Sequence, residues 1–274
     1  MNVARYSHTA SILTNGQVLV TGGYNANYLN STELYDPTTG SWTTTGKMSA
    51  ARSYHTASIL GNGKVLVTGG FSGVTFLNSA ELYDPTTSSR TTTGNMSVAR
   101  YSHTASILGN GKVLVTGGYN VNYLNSTELY DPTTGSWTTT GNMSVARYSH
   151  TASILGNGKV LVTGGQNSNG YLNSAELYDP TTGSWATTGN MSVARVCHTA
   201  AILENGKVLV TGGFNTITYL NSAELYDPTM GSWTTTGNMS VARYSHTASI
   251  LENGKVLVTG GYNGSTYLNS AELY

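Results

Sequence analysis

The chain has 274 residues, of which only 9% are charged, with 13 basic side chains balancing 13 acidic ones. That balance lacks the basic footprint of a nucleic-acid binder, and no apolar run approaches the ~20 residues a membrane helix needs. Cys197 is the single cysteine, so an intrachain disulfide is excluded. The opening MNVARYSHT has neither a charged n-region nor an apolar h-region, so no secretory leader is read there. The compartment stays open, because recurrent N-x-S/T triplets such as Asn95-Met96-Ser97 are one coincidence copied with the repeat.

A single unit, typified by Val98 to Asp131, recurs six times nearly letter for letter. His8, His55, His103, His150, His198 and His246 mark it at a step of about 47 or 48 residues, a period of radial or stacked arrays. Within one repeat, His103–Leu108 is rich in β-branched residues and runs into Asn110-Gly111, with Lys112–Thr116 following. Asn-Gly between two such runs predicts a tight hairpin with a type I′ turn. Gly117-Gly118 ends the second strand, where paired glycines predict unusual φ or close approach of a neighbour. A polar, aromatic-rich loop leads to the third strand, Ser126–Tyr130. The Asp131-Pro132 turn then leads to a fourth strand around Trp137–Thr140. No helical period appears. Each repeat therefore reads as a four-stranded antiparallel meander, and six in series read as radial blades, because solenoid coils do not need tight hairpins between successive strands.

The succession Arg-x-x-His, Gly-Lys-Val-Leu-Val-Thr-Gly-Gly, Glu-Leu-Tyr-Asp-Pro and Ser-Trp resembles the Kelch repeat over essentially the whole chain. It is similar to the bacterial and invertebrate multi-repeat Kelch type and to the galactose-oxidase propeller repeats. The six equal repeats, with their Asn-Gly hairpins and diglycines, read as a six-bladed, all-β propeller in one domain spanning 1–274, with the His strand innermost and the Trp strand outermost, and the resemblance agrees. One departure is Arg90, where the other complete repeats carry Trp42, Trp137, Trp185 and Trp233. It puts that packing in question in the second blade.

Strand alternation places the first–second and third–fourth turns on one side of a blade, with the second–third loop and the crossover on the other. The second–third loops vary in sequence and length, beginning at Tyr24, Phe71, Tyr119, Gln166, Phe214 and Tyr262. Variable loops on a fixed scaffold are the expected recognition sites. The second aromatic of each loop (Tyr28, Phe76, Tyr123, Tyr171, Tyr219, Tyr267) is read as cover for the blade tops. The crossovers bring Arg5, Arg52, Arg100, Arg147, Arg195 and Arg243 to the same face. In Kelch domains of the adaptor type the matching positions line a central pocket, so the resemblance makes these arginines secondary ligand candidates. Their alternative role is pairing with Glu33, Glu81, Glu128, Glu176, Glu224 and Glu272, one to one.

Neither a metal nor a cofactor is expected. Propeller strands send equivalent histidines between blades rather than to one ion, which would need them within ~2.1 Å. Catalytic residues are not expected either, since nothing breaks the repeat symmetry with unlike groups in unlike roles. Copper-radical chemistry of the galactose-oxidase kind would need a Tyr–Cys pair, and no tyrosine in the sequence marks itself as partner to Cys197. The leading reading is a non-catalytic scaffold for a protein or peptide. The alternatives are a glycan-binding propeller, or a recently amplified or engineered array without an evolved ligand. The sequence stops after a third strand at Tyr274, so the last blade is expected to have three strands. With the 270–274 strand as an open edge, the expectation is a monomer with a weak tendency to dimerise there.

Overall fold

The computed structural model describes all residues from 1 to 274. The first sheet comprises β1 (Thr9–Ile12), β2 (Val18–Thr21), β3 (Thr32–Asp36) and β4 (Ser41–Thr45), hydrogen-bonded antiparallel in that order. Four more four-stranded sheets repeat this order, and the sixth has three strands, Thr247–Ile250, Val256–Thr259 and Ala271–Leu273. The fold is the all-β, six-bladed propeller expected, with a three-stranded last blade. Its blades lie in two compact units, Met1–Thr140 and Gly141–Tyr274. No helix of the chain is long and apolar enough to cross a membrane.

The first hairpin differs from the type I′ turn expected. Only the glycine has positive φ, +83° at Gly16, whereas a type I′ turn needs it at two residues. Gly16 N–H donates to the Leu13 carbonyl at 2.9 Å, and Leu13 N–H donates to Gln17 at 2.8 Å. This is a three-residue loop closed by a left-handed glycine. The asparagine braces the turn through its side chain instead. Its Oδ1 accepts from the N–H two residues on, as Asn110 does from Lys112 at 3.1 Å. On the same side of the blade Lys112 reaches Asp131 at 3.2 Å, so the two turns share a face as alternation requires.

Alternation along Val-Leu-Val then builds the core between blades. In a strand, successive side chains leave opposite faces. Leu19 of the first blade packs with Val65, Val67 and Tyr83 of the second. Leu66 of the second packs with Val113 and Tyr130 of the third. The third-strand tyrosines also bond across the seam, Tyr83 Oη lying 3.0 Å from Thr45 Oγ1 and Tyr130 Oη 2.9 Å from Thr93 Oγ1.

Arg90 substitutes for its missing tryptophan in both polar and stacking roles. Trp137 Nε1 donates to the Gly94 carbonyl at 2.7 Å, and Arg90 Nε donates to the equivalent Gly46 carbonyl at 2.9 Å. Trp137 packs on Tyr130 with centroids 5.1 Å apart, and the Arg90 guanidinium lies 5.0 Å over the Tyr83 ring. Burial lowers its pKa to about 10. Both Nη atoms are buried without a protein partner. Arg90→Trp should therefore stabilise the second blade by about 1 kcal/mol, read as a higher urea midpoint. A lower midpoint would show that the cation–π contact outweighs the desolvation.

Candidate functional site

The face carrying the variable loops rests on the diglycines. A Cβ on Gly69 (φ +63°) would meet the Arg100 carbonyl oxygen at 2.5 Å and His103 Cε1 at 2.7 Å. A Cβ on Gly70 (φ +98°) would meet the Ser53 carbonyl at 2.7 Å. Both reasons for glycine, conformation and close approach, apply together. The bare backbone lets Gly70 N–H donate to the Arg100 carbonyl at 2.8 Å, fastening one blade to the next crossover.

Each crossover is clamped by its own arginine and glutamate. Arg100 Nη1 donates to the Gly117 and Ser126 carbonyls at 2.7 and 3.0 Å, and Nη2 reaches Glu128 Oε1 at 2.9 Å. Glu128 also accepts from Ser97 N–H at 2.7 Å, Ser97 Oγ at 2.9 Å and Val98 N–H at 3.2 Å. The carboxylate thus caps the start of Ser97–Arg100 while the guanidinium holds the strand ends behind the loop. The same pair forms at Arg5–Glu33, Arg52–Glu81, Arg147–Glu176, Arg195–Glu224 and Arg243–Glu272, and all six arginine side chains are 0% exposed. Burial lowers the Arg100 pKa, and Glu128 opposes that shift. The pairing role expected of the arginines is therefore present, and their guanidinium groups are directed into the blades rather than to solvent.

The histidines bond between blades. His55 Nε2 lies 3.1 Å from Thr9 Oγ1 and 3.0 Å from Thr21 Oγ1, both in the preceding blade. His103 meets Thr56 and Thr68 in the same way, and His246 meets Thr199 and Thr211. Burial, with the Arg100 charge second, pushes His103 down to about 3, and burial with Arg243 pushes His246 down to about 4. Neutral imidazoles are thus built into the seams.

Above this frame lie aromatic rows. In the first unit Tyr24 pairs with Tyr6 at the backbone, with N···O distances of 3.0 and 2.9 Å, so the loop base is pinned to the crossover. Tyr28 lies edge-on to Phe71 of the next blade, centroids 5.4 Å apart. Phe76 stacks on Tyr101 at 5.6 Å and 8°, and meets Tyr119 at 6.1 Å. In the second unit Tyr171 meets Phe214 at 5.6 Å and Tyr219 meets Tyr262 at 5.5 Å. Gln166 takes the aromatic's place in the fourth blade, where it accepts from Tyr148 Oη at 3.2 Å and starts a small hairpin, Gln166–Asn167 with Gly170–Tyr171. The second aromatic of each of these loops spans the seam to the next blade, as befits cover.

A family model for the KLHDC2/KLHL20/DRC7 Kelch-repeats domain matches residues 1–141, and one for the attractin/LZTR1 β-propeller matches residues 81–219. The chain belongs to the Kelch-repeat family. No curated protein matches it.

Two features of this Kelch face lie beyond what the repeat pattern predicts. The crossover tyrosines Tyr6, Tyr101 and Tyr244 belong to the aromatic rows, as the Tyr6–Tyr24 distance of 5.3 Å and the Tyr219–Tyr244 distance of 6.0 Å show. Their signal sits in Arg-Tyr-Ser-His, between the more conspicuous arginine and histidine. Cys197 has Tyr244 of the following blade as a neighbour, and its carbonyl accepts from Ser245 N–H at 3.0 Å. Burial first, then Cys197, raises the Tyr244 phenol pKa.

Proposed function

We propose that this Kelch chain is a non-catalytic scaffold that recognises a protein or peptide through the variable-loop face. Kelch propellers are typically protein-interaction domains and generally lack catalysis. The observation that supports this reading is the contrast between a frame of repeated internal ion pairs and hydrogen bonds and the divergent loops pinned on it. Arginine, glutamate, histidine and diglycine find their partners inside the protein, while Tyr24, Phe71, Tyr119, Gln166, Phe214 and Tyr262 begin segments that differ from blade to blade. The arginines then act by holding the loop bases in place.

Replacing those six residues by Ser should reduce capture of the bound protein at least about ten-fold, with β-sheet circular dichroism retained. Capture at wild-type level would move the site off this face. A glycan is the second reading, favoured by tyrosines beside loop asparagines on the same rows. A glycan array with several loops equally occupied would select it over a protein.

A further inference from the structure

The second repeat breaks a pattern that the other five keep. They read Arg, then Tyr or Val, then Ser or Cys, then His. Here the middle pair is exchanged, giving Arg52-Ser53-Tyr54-His55. The residue before each histidine has left-handed backbone in all six repeats, with φ of 53° at Tyr54, 54° at Ser7 and 50° at Ser102. That conformation is unusual for a bulky side chain. It is held by a backbone ladder, Tyr54 N–H donating to Ser7 at 3.0 Å and Ser102 N–H donating to Tyr54 at 2.9 Å. The exchange buries Ser53 completely beside Phe71 and sets Tyr54 one residue further in, 46% exposed. Its ring lies 5.8 Å from Tyr101, at 61°. Tyr54 therefore stands as a wall beside a floor made by Tyr101 stacked on Phe76.

The polar groups around this floor are selective. The second–third loops and the crossovers of the Met1–Thr140 unit contain no charged side chain except the buried arginines and Lys47. Several acceptors are spent inside the loops: Ser72 Oγ takes Thr75 N–H at 3.0 Å, and Asn120 Oδ1 takes Asn122 N–H at 3.2 Å. The Tyr54 hydroxyl, able to donate or accept, and the Asn120 Nδ2 donor remain. A charged peptide would lose hydration here without gaining a counter-charge. A sugar brings hydroxyl donors as well as acceptors, and each donor would need an acceptor in place of water. A proline-rich segment brings flat apolar rings and carbonyl acceptors, has no N–H on its prolines, and is already extended before it binds.

We infer that the loop face of the Met1–Thr140 unit takes an uncharged proline-rich peptide and that Tyr54 contacts it. This rests on the protein- or peptide-binding reading above. The test is titration of the intact chain with acetylated, amidated decaproline at low and high salt, beside the neutral oligosaccharide cellohexaose. Decaproline should bind with little salt dependence. Tyr54→Ser, which restores the residue type of the other repeats, should weaken binding about ten-fold at unchanged Tm, and Tyr54→Phe should hold it within about three-fold. Absence of decaproline binding, full binding by Tyr54→Ser, or Tyr54-dependent binding of cellohexaose in its place would each overturn the inference. If decaproline fails while the six-fold loop variant still loses its protein partner, only this inference falls. If the loop variant keeps its partner, the scaffold reading falls with it.

Discussion

Arg100→Met should cost about 3–5 kcal/mol, the loss expected when one partner of a buried ion pair is removed. Glu128 would keep its three donors from Ser97 and Val98 but lose its only counter-charge, at a residue just 1% exposed. The Gly117 and Ser126 carbonyls would lose their guanidinium donor at the same time. Urea denaturation would show a large fall in midpoint. Adding Glu128→Gln should recover part of the loss, because an amide is cheaper to bury than an unpaired carboxylate. The contrast is Lys112→Ala, which breaks an exposed pair with Asp131 and should cost less than about 1 kcal/mol. Equal costs for the two substitutions would remove the arginine–glutamate clamp from the account of stability.

Acidification should unfold the protein well above the carboxylate range. A histidine in the unfolded chain titrates near pH 6.5, while folded His103 is held at about 3 and His246 at about 4. Between those limits the unfolded chain binds protons that the folded chain refuses. Stability is then fully present above pH ~6.5 and is lost as pH falls toward the folded value. The slope approaches about 1.4 kcal/mol per pH unit for each buried histidine. His55 and His198 are pushed in the same direction by burial, so their losses add. Asp84, Asp131 and Asp179 are held at about 2, by Thr86, Thr133 and Thr181 first, and contribute only at lower pH. Tm should therefore fall steeply between pH 6.5 and ~4.5, and His103→Gln should flatten part of that fall. A Tm constant across the window would mean that the seams accept imidazolium.

Much of the architecture is legible because it is local chemistry copied six times. The β-branched runs, the glycine-closed hairpins and the Asp-Pro turns determine a four-strand unit, and equal spacing makes an array of it. The one-to-one count of arginines and glutamates announces their pairing, and equivalent histidines have to lie between blades. The turn type is not legible in the same way, because an Asn-Gly pair suits two positive φ angles as well as one. The fold asks this only of the glycine and uses the asparagine side chain to bond ahead. The glutamate's capping of Ser97 and Val98 is invisible in the sequence because it links residues about thirty apart.

The repeat, the strand order and the internally partnered residues can thus be read from the chain alone, since a residue copied in every blade meets the same neighbour in every blade. What the departures from the repeat do emerges from the packing of one blade on the next. Arg90 keeps a tryptophan's hydrogen bond because the Gly46 carbonyl of the preceding blade waits there. Tyr54 becomes an exposed wall because its slot has left-handed backbone. Cys197 has a phenol as neighbour because Tyr244 belongs to the following blade, joined to it through Ser245 N–H on the Cys197 carbonyl. A single departure has no copies to reveal its surroundings, and those surroundings come from a neighbouring blade some forty residues away in the chain.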